Sequence, residues 1–155
     1  MARVFIAKII VMRKFFVDDI KDKVILSGAD HKHLSVVCRA KKGEKIVLCD
    51  GYYDGEYEII DIKKDFTSLL LLGKTKNNSE TAKSVDLYFC AMKGEKNDFA
   101  VQKCTELGVK NFYPVISEYV QSGAKNVNVE RLSRIAEEAS KQCGRGAVPR
   151  VHLPV

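Results

Sequence analysis

The apolar pattern changes period once along the chain, and the change falls on a polar run, residues 74–84 (KTKNNSETAKS). Before it, short β-rich segments at residues 14–17, 24–26, 45–49, 56–62 and 66–72 are punctuated by Ser27-Gly28, Lys42-Gly43 and Asp50-Gly51. Short strands separated by turn chemistry at this spacing predict a small β-barrel. Residues 30–38 interrupt them with a helical spacing of Leu34, Val37 and Cys38, for which Asp30 is the expected N-cap. After the run, residues 85–91 are apolar apart from Asp86, as in a strand buried on both faces of a parallel sheet. A helix from Asp98 as N-cap, with Ala100, Cys104 and Leu107 on one face, is expected to stop at Gly108. Residues 111–116 then read as the returning strand of a β-α-β unit. A second helix runs from Asn128 as N-cap through Leu132, Ile135, Ala136, Ala139 and Cys143 to Gly144, and a third strand begins near Val148. The fold expected is α+β: a small β-barrel, then a linker, then an α/β domain that stops short. Two strands and the start of a third make a sheet too small to cover both faces.

Composition narrows the function classes. With 46% hydrophobic and 30% charged residues the chain can build a packed core, and it is too apolar for disorder. No apolar run approaches the roughly 18 residues of a membrane span, and Arg3 and Lys8 break up the only N-terminal stretch that resembles a signal. Five widely spaced cysteines without a C-x-x-C encode neither a disulfide framework nor a zinc ribbon, which points to a reducing compartment, the cytoplasm. Cys104 and Cys143 sit on helical apolar stripes and are expected to be buried structural thiols. His31 and His33 are two apart, a spacing that diverges on a helix, so no metal site is expected. The net charge of +6 favours a polyanionic partner, and most of the excess lies before residue 77. Two basic groupings stand out. One joins Arg13 and Lys14 with Arg39, Lys41 and Lys42; the other joins Lys93, Lys96 and Lys103 with Arg145.

Taken in order, Arg13 to Val17, His33-Leu34 with Val37-Cys38-Arg39, Asp50-Gly51, Met92-Lys93-Gly94, the run QKCTELGV at residues 102–109, Pro114 with Ser117-Glu118, EEASKQCGR at residues 137–145 and Val148-Pro149 resemble the bacterial 16S rRNA uracil-N3 methyltransferase family. QKCTELGV followed by EEASKQCGR is the most specific part.

The resemblance implies a PUA-like RNA-binding barrel over residues 12–74, a linker at 75–84 and the first part of a SPOUT methyltransferase domain over 85–155. Residues 1–11 would precede the family's usual start. Family members methylate N3 of one uridine of 16S rRNA with S-adenosylmethionine, act on the small ribosomal subunit and form homodimers. By the resemblance, Arg13, Lys14, His33, Arg39, Lys41 and Lys93 would contact RNA, and Glu106, Gln142 and Arg145 would lie near the substrate pocket. The family's glycine-rich loop and C-terminal knot, which bind S-adenosylmethionine, would lie beyond Val155, so this chain alone is expected not to hold the cofactor. The alternative is a stand-alone RNA-binding module without catalysis. A third reading is a basic α/β protein that assembles through an unfinished sheet edge.

Overall fold

The computed structural model describes residues 13–120 and 126–155. The extension expected at residues 1–11 lies outside the described residues.

Five strands form the first sheet: β1 (Lys14–Phe16), β2 (Lys23–Ser27), β3 (Lys45–Cys49), β4 (Tyr53–Ile62) and β5 (Phe66–Lys76). They lie in the order β1-β3-β4-β5-β2, with β1 parallel to β3 and all other pairs antiparallel. The sheet curls because β4 and β5 are long and slip register twice, at Glu56/Tyr57 and at Ile59/Asp61. Alternate residues point inward, and Ile46, Leu48, Tyr57, Ile59 and Leu69 close a core with Phe15 and Leu34. Leu34 arrives from a short helix, α1 (Gly28–Lys32), that widens into a π-helical turn at His33–Val37.

That helix begins earlier than its composition suggests. Ser27, not Asp30, is the N-cap residue, and the Asp30 carboxylate reaches across to Lys141 at 3.6 Å. His31 is buried rather than solvated. Its Nε2 donates to the carbonyl of Lys64 at 3.1 Å and its Nδ1 accepts from the Thr67 hydroxyl at 2.9 Å, because a carbonyl oxygen can only accept. The ring thereby clamps α1 onto β5.

The second sheet is parallel, in the order β6 (Asp86–Cys90), β7 (Asn111–Val115), β8 (Arg150–Val151). Two helices connect its strands, α2 (Lys96–Glu106) and α3 (Val129–Cys143). Val101 of α2 and Leu132 and Ala136 of α3 pack with Phe112, Val151 and the inner sides of Leu87 and Phe89. The opposite face of the sheet carries a stack of three rings, Tyr88 on Tyr113 at 4.5 Å and Tyr113 on His152 at 4.2 Å.

Two details depart from the periodic reading. Helix α2 starts at Lys96 with Glu95 in the N-cap position, and Asp98 lies inside the first turn, where it pairs with Arg131. Its buried stripe is Asn97, Val101 and Thr105, one residue out of phase with Ala100, Cys104 and Leu107. Leu107 lies past the last helical residue and is 79% exposed. Helix α3 follows expectation at both ends. The Asn128 side chain accepts from Arg131 N at 2.9 Å, and Gly144 closes the helix at φ +77. Cys143, however, is exposed, because the buried stripe of this helix is Leu132, Ala136, Ala139 and Ser140.

The polar run begins inside the first sheet. Strand β5 extends through Lys76, and Asn77 then bonds the Tyr52 carbonyl through its amide and Asp54 Oδ2 through its side chain, each at 2.8 Å.

A candidate site at the strand ends and the joint that holds it

In a parallel sheet the loops at the carboxyl ends of the strands are free to form a ligand site. Here that position is held by the turn Met92-Lys93-Gly94-Glu95 between β6 and α2. Asn97 fixes the turn: its Oδ1 accepts from Met92 N and its Nδ2 donates to Met92 O, both at 2.9 Å, from a side chain that is almost wholly buried. The turn borders a hollow of about 310 Å³ lined by Cys90, Met92, Lys93, Lys96, Ser117 and Tyr119. A second hollow of about 280 Å³ also borders the turn, against Glu95, Asp98 and Asn128. A larger groove, about 710 Å³, runs between α2 and α3 past Phe99, Gln102, Arg134, Ile135 and Gln142. It is an open furrow between two helices. The strand-end hollows hold the convergent polar groups that a binding site needs.

Of the residues expected near the substrate, Gln142 is exposed in the helical groove, and Glu106 lies at the far end of α2. Both Glu106 carboxylate oxygens accept from Lys103 Nζ, at 2.9 and 3.0 Å. Arg145 is 4% exposed and is bound on every side by protein. Its Nε and one terminal nitrogen donate to Glu80 at 3.1 and 2.7 Å, and the other terminal nitrogen donates to the carbonyls of Thr105 and Val109 at 3.0 and 2.7 Å. Lys93 faces the strand-end hollow. The length of α2 therefore separates Lys93 from Glu106 and Arg145, roughly 16 Å at 1.5 Å per residue.

The residues expected on RNA divide in the same way. Lys14 is 7% exposed, with its ammonium 2.8 Å from Asp54 Oδ1 and donating to the carbonyl of Gly144 at 3.1 Å. Arg13 donates to Glu44 at 3.1 Å and to the carbonyl of Cys38 at 3.0 Å. His33 packs edge-on against Phe15, ring centres 5.9 Å apart. Arg39 and Lys41 are exposed on the turn after the π-helical segment, and Arg39 takes a left-handed backbone at φ 50.

Lys14, Lys141 and Arg145 share a task that sequence reasoning missed. All three tie the segment at the end of α3 to the first sheet or to the polar run. Lys141 contacts Glu137 at 2.7 Å and Asp30 at 3.6 Å, and lies over the Phe15 ring at 5.8 Å. Glu80 Oε1 accepts from the amides of Gly146 and Ala147, each at 3.1 Å. Burial alone would raise the Glu80 carboxyl's pKa, but the Arg145 guanidinium and those two amides outweigh it and hold it below the ordinary value. Gly146 leaves no room for a side chain, since a Cβ there would stand 2.8 Å from Asn77 Oδ1.

Among the described residues no group of His, Cys, Asp and Glu is arranged to hold a metal ion, and no helix is long and apolar enough to cross a membrane.

Comparison with known proteins agrees with this architecture. The family model described as RNA methyltransferase domain matches residues 79–155. The chain is 30% identical over 153 residues to Ribosomal RNA small subunit methyltransferase E of Bacillus subtilis (strain 168), a match covering 90% of this chain and 59% of that protein. It is 28% identical over 142 residues to the protein of the same name from Buchnera aphidicola subsp. Acyrthosiphon pisum (strain APS), covering 88% of this chain and 56% of that one. A crystal structure of Ribosomal RNA small subunit methyltransferase E from Neisseria gonorrhoeae bound to S-adenosyl methionine superposes with TM-score 0.82 at 28% identity, over 93% of this chain and 62% of that chain. The chain thus spans less than two thirds of the length of the relatives it matches. The parallel sheet, the helix pair on one face of it and the family match fall on the same stretch of chain: residues 79–155 match the RNA methyltransferase domain family.

Proposed function

We propose that this chain is the RNA-binding part and the first portion of the catalytic domain of an enzyme that methylates N3 of a uridine in 16S rRNA with S-adenosylmethionine. Residues 12–74 serve as a PUA-like RNA-binding unit, residues 75–84 join it to the next, and residues 85–155 begin a SPOUT-type domain. The observation that carries the reading is the likeness to the Neisseria gonorrhoeae enzyme across 93% of this chain, which takes in both sheets. Exposed Arg39, Lys41 and Lys93 are the cations offered to phosphate. Arg13, Lys14 and Arg145 hold the scaffold that presents them.

The described residues do not by themselves fit the cofactor. S-adenosylmethionine carries a sulfonium and an ammonium, whereas the 310 Å³ hollow presents Lys93 and Lys96 and, among the described residues, no carboxylate. Glu95 and Asp98 line the neighbouring 280 Å³ hollow instead, and Asp98 is taken by Arg131. No methyl-transfer step is therefore assigned to these residues. Transfer to uracil N3 also requires loss of its proton, which calls for a base or a stabiliser of the resulting anion.

Self-association belongs to the same reading, since β6 and β8 leave both edges of the parallel sheet without a strand partner among the described residues. Sedimentation of a dimer supports it, and a monomer at all concentrations counts against it.

The test is a salt titration of binding to a 16S rRNA fragment, read beside nucleoside analysis for N3-methyluridine. Affinity should fall with salt by about 0.7 to 0.9 log units per phosphate contact for each tenfold rise, with no methyl transfer by this chain alone. No RNA binding at low salt sinks the reading.

A further inference from the structure

We propose that the β3–β4 hairpin, with Lys74 and Lys76 of β5 beside it, is a stacking platform for an unpaired stretch of RNA. The inference rests on the RNA-binding reading above and assigns it a surface that the basic residues near the chain start do not include.

Tyr52 and Tyr53 are consecutive at the hairpin, 76% and 41% exposed. Neither belongs to the core beneath the curled sheet. An exposed tyrosine offers a flat apolar face with a polar tip, which suits it to stacking on a partner. The backbone under these rings is fixed. Asp50 Oδ1 accepts from the amides of Tyr52 and Tyr53 at 2.9 and 2.7 Å, and Asp50 N donates to the Tyr53 carbonyl at 3.2 Å. Asn77 N donates to the Tyr52 carbonyl at 2.8 Å. The rings are thus carried on a pinned turn, which lowers the entropy that binding would have to overcome.

The charge beside them has the sign that nucleic acid needs. Tyr53 lies opposite Lys76 and Gly55 opposite Lys74 in the β4–β5 ladder, so both lysines project from the same side of the ribbon as Tyr53. Lys74 Nζ sits 4.3 Å from the centre of the Tyr53 ring. Lys45 of β3 and Lys63 in the turn between β4 and β5 are occupied by Glu56 and Asp61 at 2.6 and 2.9 Å. Of the acidic groups beside the platform, the Asp50 carboxylate attracts Lys74 but is engaged with the turn's own amides, and Asp54 is taken by Lys14 and Asn77. The surface therefore combines the exposed Tyr52 ring with Tyr53, one face of which Lys74 already covers, and with the exposed Lys76.

That combination selects single strands. Bases in a duplex are stacked on both faces, whereas an unpaired base can lie on a tyrosine ring while lysines follow its backbone. The hairpin also sits at the joint between the two units. A Cβ at Gly51 would stand 3.7 Å from the carbonyl of Gly146, three residues past the end of α3. RNA held there is placed in a fixed relation to the parallel sheet.

The chain contains no tryptophan, so Tyr52→Trp installs a single reporter on the platform. Its emission should be quenched by an unstructured oligouridine and unaffected by a duplex of the same length. By anisotropy of the labelled oligonucleotide, Tyr52→Ala should weaken binding roughly tenfold and Tyr52→Phe should restore it, since stacking needs the ring and not the hydroxyl. Lys74→Gln with Lys76→Gln should flatten the salt slope by about 0.7 for each lysine. Binding by Tyr52→Ala equal to that of the unaltered chain, or equal quenching by duplex, overturns the platform and leaves the RNA reading standing. If the unaltered chain binds neither RNA, both fall together.

Discussion

Arg145 and Glu80, 65 residues apart, meet in a two-pronged ion pair, Nε to Oε1 at 3.1 Å and a terminal nitrogen to Oε2 at 2.7 Å. The same arginine caps the carbonyls of Thr105 and Val109, and the same glutamate accepts from the amides of Gly146 and Ala147. One charge pair thereby closes the end of α2, the segment after α3 and the polar run into a single knot of hydrogen bonds.

Breaking that pair from either side should be costly. Arg145→Met leaves Glu80 partly buried without its partner, and removal of one member of such a pair typically costs about 3–5 kcal/mol. Urea unfolding should show a drop near the lower figure, because Glu80 keeps some contact with water. A change within 0.5 kcal/mol would mean that the knot is dispensable.

The same pair sets a pH dependence. Because the Glu80 carboxyl is held below its ordinary value of 4.5 in the folded protein, its contribution is complete above that value. It is lost as pH falls from there through the lowered folded value, where the native carboxylate is finally protonated. Stability of the unaltered chain should therefore decline below about pH 4.5. Glu80→Gln should be less stable at pH 7 and show a shallower acid decline; parallel curves would contradict the assignment.

Lys14 and Arg39 should separate cleanly in an experiment that measures both folding and RNA affinity. Lys14→Met removes a buried tie to Asp54 and Gly144 and should lower stability by about 1–3 kcal/mol, with little change in the salt slope of RNA binding. Arg39→Gln, at an exposed position, should leave stability within about 0.5 kcal/mol and flatten the slope by about 0.7 to 0.9. The reverse pattern would exchange their roles.

Thiol reactivity offers an independent check on packing. Cys90 and Cys143 are exposed, Cys38 and Cys104 are half-covered, and Cys49 is buried. Burial, the largest influence, pushes the Cys49 thiol above its ordinary value, although the Gly51 amide opposes it. Titration of the native protein with a chromogenic disulfide should give two fast thiols, two slower ones, and one that reacts only on unfolding. A fast Cys49 would show that the joint beside Gly146 is open.

The positions of the strands and the ends of α3 could be read from the chain directly. The β-rich run at residues 45–49, the asparagine at 128 and the glycine at 144 each act on backbone within a few residues, and β3, the N-cap and the C-cap appear where those signals stand. The start of α2 could not, because Asn97 turns inward to bind Met92 on both its amide and its carbonyl, and this places Asp98 inside the helix. Nor could the phase of its buried stripe, where Thr105 displaces Cys104 from the interior. Counting apolar residues cannot anticipate a buried polar one.

The site divides along the same line. Sequence by itself determined two kinds of periodicity, the family resemblance and a surplus of positive charge, since these are properties of residue identity and near spacing. Only the tertiary structure decided which cations stay free: Lys14 finds its acceptor at Gly144, Arg13 at Glu44 and Arg145 at Glu80, while Arg39, Lys41 and Lys93 remain in water. The physical reason is that an ammonium or guanidinium is satisfied by any carbonyl or carboxylate within about 3 Å, and which ones come that near depends on how the two sheets meet, a relation between residues up to 130 positions apart.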